Sequence, residues 1–155
     1  MKLDAKSSGR AAIHASISAT GNHAAAVTSA AGNRTAPWWR ARADKPRFGI
    51  LLDMIGHDNL SIRLSTDTPA DLKDKVMAAA KAEGAEKHFG MAMGPITDDH
   101  VPLNFAGIPT VDLIGEFGRG GWWHTPADNQ KIISAQSLDI SIRVTLRLLA
   151  GWLEK

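Results

Sequence analysis

Hydrophobic and polar positions divide this chain into two unlike parts near Pro46. Beyond it, Phe48 to Gly56 is a nearly continuous apolar run closed by glycine. That is the pattern of a strand buried on both faces, as in a parallel sheet with helices on each side. Asp53 interrupts the run. A carboxylate there has to be hydrogen-bonded, paired or bound to metal, because desolvating it alone costs several kcal/mol. Ser61 to Ser65 alternates and predicts a half-exposed strand. Thr68 as N-cap, Pro69 at the first helical position and Asp71 in the first turn then open a helix. Leu72, Val76, Ala79, Ala80 and Glu83 recur at helical spacing, and Gly84 stops it. His88 to Gly94 predicts a short strand with a loop, and Phe105 to Gly107 closes a further small element. Pro109 to Ile114 reads as a second buried parallel strand, with Asp112 a lesser functional candidate. Ser134 or Ser137 caps a long helix running to Leu153. Leu138, Ile142, Leu146, Leu149 and Leu153 form one stripe on it; Ile140, Val144, Leu148 and Trp152 form another. So wide an apolar surface predicts deep packing against the sheet. The order predicts an α/β fold over residues 46–155, with functional groups at the carboxyl ends of the strands.

Residues 1–45 read differently. They are rich in Ala, Ser, Thr, Gly, Asn and Arg and poor in large aliphatics, which predicts a disordered leader. Ala11 to Ala31 supports at most a weak helix. His14 and His23 have no carboxylate near them in sequence and read as polar residues of a loose segment. Trp38 and Trp39, before Arg40-Ala41-Arg42, are placed to cover an apolar surface of the domain.

Charge follows the same division. Residues 1–47 carry eight Lys/Arg against two acids, and the remainder ten against fourteen. The basic balance therefore belongs to the N-terminal third, and no nucleic-acid face is expected on the domain. The absence of cysteine excludes disulfides, thiolate metal sites and a cysteine nucleophile. No run approaches the ~18 apolar residues of a membrane span, and no signal peptide is visible. Compartment and oligomeric state stay open.

The chemistry concentrates in two loops. Thr97-Asp98-Asp99-His100-Val101-Pro102 places two acids and a histidine in one turn, and Gly121-Trp122-Trp123-His124-Thr125-Pro126 sets a second histidine beside tryptophans. Titratable groups on loops at strand ends suit a catalytic or metal site. His100 is expected to hold a structural hydrogen bond, Trp122 to pack, and His57 and His88 to lie at the surface.

With Leu51 to Gly56, Gly107-Ile108-Pro109 and Trp123 to Asn129, these motifs resemble the C-terminal half of the zinc aminopeptidase family, which also contains the secretory glutaminyl cyclases. The resemblance runs from Pro46 to the C-terminus. It implies a mixed sheet flanked by helices, in three layers, with one or two zinc ions at the strand ends. It implies that Asp53 and His124 are metal ligands, that Asp99 joins a catalytic proton-transfer network, and that Trp123 walls the substrate pocket. Asp98 and His100 would stand behind them. Relatives are often periplasmic or secreted and act on peptide N-termini.

One departure stands beside this match. The family's N-terminal half supplies a His-x-Asp motif and a paired-glutamate motif, and residues 1–45 contain neither His-x-Asp nor any glutamate. Asp53 and His124 alone fall short of the three or four ligands a zinc site needs. The expectation is a truncated, inactive relative of an enzyme that hydrolyses N-terminal residues. A glutaminyl cyclase, or a non-catalytic fragment that pairs with another chain, is the alternative.

Overall fold

The computed structural model describes residues 15–20, 23–28 and 39–153, the first two segments as backbone strands. Nine elements follow along the chain: β1 (Ala15–Thr20), β2 (His23–Thr28), β3 (Phe48–Asp53), β4 (Ile62–Leu64), α1 (Ala70–Ala82), β5 (Phe89–Met91), α2 (His100–Phe105), β6 (Thr110–Gly115) and α3 (Ala135–Leu153). The strands form one mixed sheet in the order β2-β1-β3-β6-β4-β5. At its centre β3 and β6 run parallel, Gly49 opposite Thr110 and Asp53 opposite Ile114. Every residue of both strands is buried, as the continuous apolar runs require.

The two-residue period of a strand sorts these side chains. Phe48, Ile50, Leu52, Val111 and Leu113 face a core shared with Leu72, Val76 and Ala80 of α1 and Val144, Leu148 and Trp152 of α3. Leu51, Asp53, Asp112 and Ile114 fall on the opposite face, where α2 packs over β3 and β6. Helices thus cover both faces, and two aspartates are turned away from the main core.

The helix signals have structural counterparts with two differences. α1 ends in a Schellman arrangement: Gly84 has φ 65°, its N–H donates to Lys81 O, and the Ala85 N–H donates to Ala80 O at 2.8 Å. The Thr68 side chain does not cap it; Pro69 is the N-cap residue, and Thr68 is buried. Pro69 cannot donate, so its carbonyl simply accepts from Leu72 and Lys73. At α3, Ser134 rather than Ser137 accepts the capping bond, from the Ser137 N–H. Of its apolar positions Val144, Leu148, Leu149 and Trp152 are buried, with Ser137, Ser141 and Thr145 among them, while Ile142 and Leu146 are 48% and 58% exposed. Glu83 takes Arg143 and Arg147 at the exposed edge between α1 and α3.

The segment read as a loose leader with a weak helix contains two strands. β1 pairs antiparallel with β2, Thr20 opposite His23, and with β3, Ile17 opposite Ile50. Its Ser and Thr alternate with Ala and Ile, a period of two masked by small side chains. Between the strands the sequence is Gly21-Asn22, a hairpin dipeptide. His14 and Trp38 lie outside the described residues, as does the His23 side chain; Trp39 is half-buried. Among the described residues no helix is long and apolar enough to cross a membrane.

Candidate active site

β3 ends at Asp53, and the chain must turn at once because Met54 takes the left-handed conformation, φ 51°. Gly115, ending the neighbouring β6, makes room for this turn: a Cβ there would collide with the Met54 carbonyl. Among the described residues, Met54 and His124 are the non-glycine residues with positive φ. Each such residue costs about 1–2 kcal/mol and persists only where its surroundings impose it. Both line the same cavity.

That cavity, about 420 Å³, opens at the carboxyl end of β3 and β6. Its walls include Asp53, Pro95 to Asp98, Phe117, Trp123, His124 and Asp128. The sheet thus brings Asp53 and His124 together from positions far apart in sequence, with Trp123 beside them. The Trp123 and His124 rings stack at 3.9 Å, and Phe117 meets the far side of Trp123 at 4.8 Å. The left-handed backbone of His124 folds its ring back onto its neighbour, which orients the imidazole at the cavity mouth.

Asp53 is 4% exposed. Its pKa is pushed up to about 8, first by burial, then by the charges of Asp98 and Asp112 and a hydrogen bond with Asp98; the Met54 N–H opposes this. At neutral pH the Asp53 carboxyl therefore keeps its proton, with Asp98 facing it across the cavity.

The acid facing Asp53 is Asp98. Asp99 does not line this cavity; it borders an adjoining depression with Thr97, Asp98, Val101, Pro102 and Phe105, and its backbone N–H donates to Asp98 Oδ1 at 2.6 Å. The sequence presents two adjacent acids without saying which faces inward. The turn decides, because α2 starts one residue after Asp99 and swings its side chain outward. Asp128, which also lines the cavity, was not singled out from sequence, although it stands in the Trp123–Asn129 motif.

His100 is fully buried, its Nδ1 3.4 Å from Asp112 Oδ2 and its Nε2 3.9 Å from Asp67 Oδ1. Trp122 is 6% exposed and packs against His57 at 5.1 Å. His57 and Trp122 border a second, apolar cavity of about 250 Å³ with Leu138 and Ile142. His57 is therefore half-buried rather than a surface residue. His88 is half-buried too, with Nδ1 3.0 Å from Leu60 O.

Asp53 and His124 have the donor chemistry zinc takes. Yet among the described residues no group of three or more His, Asp or Glu is arranged to hold a metal. A catalytic zinc is usually held by three protein ligands, so these residues alone do not fit the ion.

The model of peptidase family M28 matches residues 23–149, beginning within the segment read as a leader. Glutaminyl cyclase from Porphyromonas gingivalis is 31% identical with a TM-score of 0.66, covering 76% of this chain and 46% of that one. A leucine aminopeptidase precursor from Bacteroides thetaiotaomicron is 34% identical with a TM-score of 0.66, covering 74% and 42%. A Zn-dependent exopeptidase from Parabacteroides distasonis is 28% identical with a TM-score of 0.62, covering 73% and 44%. The chain spans less than half the length of these solved structures. No curated protein matches the sequence.

Proposed function

Because the chain belongs to peptidase family M28, we propose that it carries the half of a zinc-dependent site that receives the N-terminal residue of a peptide. One observation carries this reading: Asp53, Asp98, Trp123 and His124 line a single cavity at the carboxyl ends of the central strands. Open α/β sheets bind ligands at such an edge. Trp123 offers a flat apolar wall to a substrate side chain, and the carboxyls offer acceptors to a peptide's ammonium group. Asp53 and His124 are the residues of this chain that would contribute to holding zinc, with the other ligands coming from a complementary segment.

Two chemistries suit such a site. Hydrolysis removes the N-terminal residue by adding water across the peptide bond. Cyclisation of an N-terminal glutamine joins its own α-amine to its side-chain amide and releases ammonia. We take cyclisation as the reading to test, because Asp98 lines the cavity beside Asp53 as a further proton acceptor. In that reaction a proton must leave the attacking amine and reach the departing nitrogen. Asp98, which lines the cavity without being one of the candidate zinc ligands, can accept the first and donate the second without net change. Glutaminyl cyclases and zinc-dependent exopeptidases both stand among the similar structures, so either reaction accords with them.

The test is a chimaera in which residues 46–155 replace the matching part of the Porphyromonas gingivalis cyclase, assayed beside the chain alone. The expected result is zinc-dependent ammonia release from glutaminyl peptides by the chimaera, lost in His124→Ala, and turnover by the unsupplemented chain no better than background. Release of free N-terminal amino acids without ammonia would establish hydrolysis instead. A folded, zinc-loaded chimaera that acts on neither substrate would sink the reading.

A further inference from the structure

The cavity wall from Pro95 to Asp98 has no regular secondary structure. Segments of that kind are ordinarily the least protected in a fold. Here a side-chain relay holds it. The Ile96 N–H donates to Ser65 Oγ at 2.8 Å, and the Ser65 hydroxyl donates to the Asp67 carboxylate. Asp67 Oδ1 lies 3.9 Å from Nε2 of His100, whose Nδ1 lies 3.4 Å from Asp112 Oδ2. His100 and Asp112 are fully buried, and Asp112 stands in the middle of β6. The other end of the wall runs directly into His100, where the Val101 N–H donates to Asp98 O at 3.0 Å.

We propose that His100 is a positioning residue: by bridging Asp112 and Asp67 it ties both ends of the Pro95–Asp98 wall to the sheet and so holds Asp98 opposite Asp53. Packing alone does not call for this arrangement. An apolar ring would fill the same volume without burying an imidazole between carboxylates, which is costly unless the groups work together. Burial acts to strip the proton from His100. The Asp112 hydrogen bond and the charges of Asp112, Asp67 and Asp98 outweigh it, so the imidazole keeps its proton to higher pH than a free histidine. The protonated ring then sits between two carboxylates as an ion-pair bridge, Nδ1 3.4 Å from Asp112 and Nε2 3.9 Å from Asp67.

The proposal rests on the functional reading only in taking this cavity as the reacting one, and its test reads the wall rather than turnover. The measurement is amide hydrogen exchange by NMR on the full chain in chelator, for Asp67→Ala, Asp67→Asn and His100→Phe. Asp67 is half-exposed, so its variants should fold. Asp67→Ala is expected to lower protection at Ile96 and Asp99 about tenfold, the loss of one charge-assisted hydrogen bond, while Val76 and Val111 in the core change less than about twofold. Asp67→Asn keeps an acceptor oxygen and should restore most of that protection. His100→Phe should expose the wall as Asp67→Ala does; should it fail to fold, the two Asp67 variants decide. Unchanged protection in Asp67→Ala overturns the proposal. So does an equal loss at wall and core, which would make the cluster merely structural.

Discussion

Replacing Asp53 by asparagine should stabilise this protein at neutral pH, although it removes a residue from the candidate site. In the folded chain Asp53 keeps its proton up to about 8, because of burial first and the Asp98 and Asp112 charges second. In the unfolded chain an aspartate releases it near ~3.9. Between those values the folded state binds a proton that the unfolded state does not, so stability falls as pH rises. The slope is ~1.4 kcal/mol per pH unit. From pH 4 to pH 7 that amounts to ~4 kcal/mol, a large part of the ~5–15 kcal/mol available to a domain. Asparagine has nearly the same shape, stays neutral throughout and can donate to Asp98, so the loss should vanish. His100 also loses stabilising weight as pH rises through its raised folded pKa. That contribution is common to both proteins and cancels in the difference. The assay is urea unfolding in chelator from pH 4 to pH 8. The two proteins should agree within ~1 kcal/mol near pH 4, and Asp53→Asn should be the more stable by ~4 kcal/mol at pH 7. Parallel profiles would mean that Asp53 is ionised in the folded chain, and the reasoning from its burial would have to be abandoned.

Trp152→Ala should cost ~3–5 kcal/mol in thermal or chemical unfolding, because its ring packs on Phe48 beneath α3 and little can collapse into the space; a loss below ~1 kcal/mol would show that α3 does not close this part of the core. Gly115→Ala should cost ~1–3 kcal/mol, since its Cβ meets the Met54 carbonyl, and should shift the Asp53 and Met54 amide resonances. Unmoved resonances would separate the strand end from the turn that presents Asp53.

Much of the scaffold is local and was legible. The runs around Leu51 and Val111 are apolar without alternation because both faces of β3 and β6 are covered, and burial on two faces leaves no room for polar residues. The spacing of Leu72, Val76 and Ala80 with Gly84 specifies α1 through backbone geometry alone. The motifs around Asp53 and His124 carried the family resemblance, Asp53 at the end of β3 and His124 in the loop after β6. Other features depend on contacts between distant residues. β1 has small side chains and no apolar stripe, so its place in the sheet comes from hydrogen bonds to β3 that no local pattern announces. Which stripe of α3 is buried depends on where α1 and the sheet lie, since Val144, Leu148 and Trp152 share a core with them. Asp98 and Asp99 are equivalent as letters. Only the folded turn before α2 places Asp98 in the cavity lining and leaves Asp99 out of it. The His100, Asp67 and Asp112 cluster joins three separate stretches of chain, and its electrostatics exist only when folding removes the water between them. Periodicity and capping are properties of neighbours along the chain, whereas burial, charge coupling and the direction of a side chain are properties of neighbours in space.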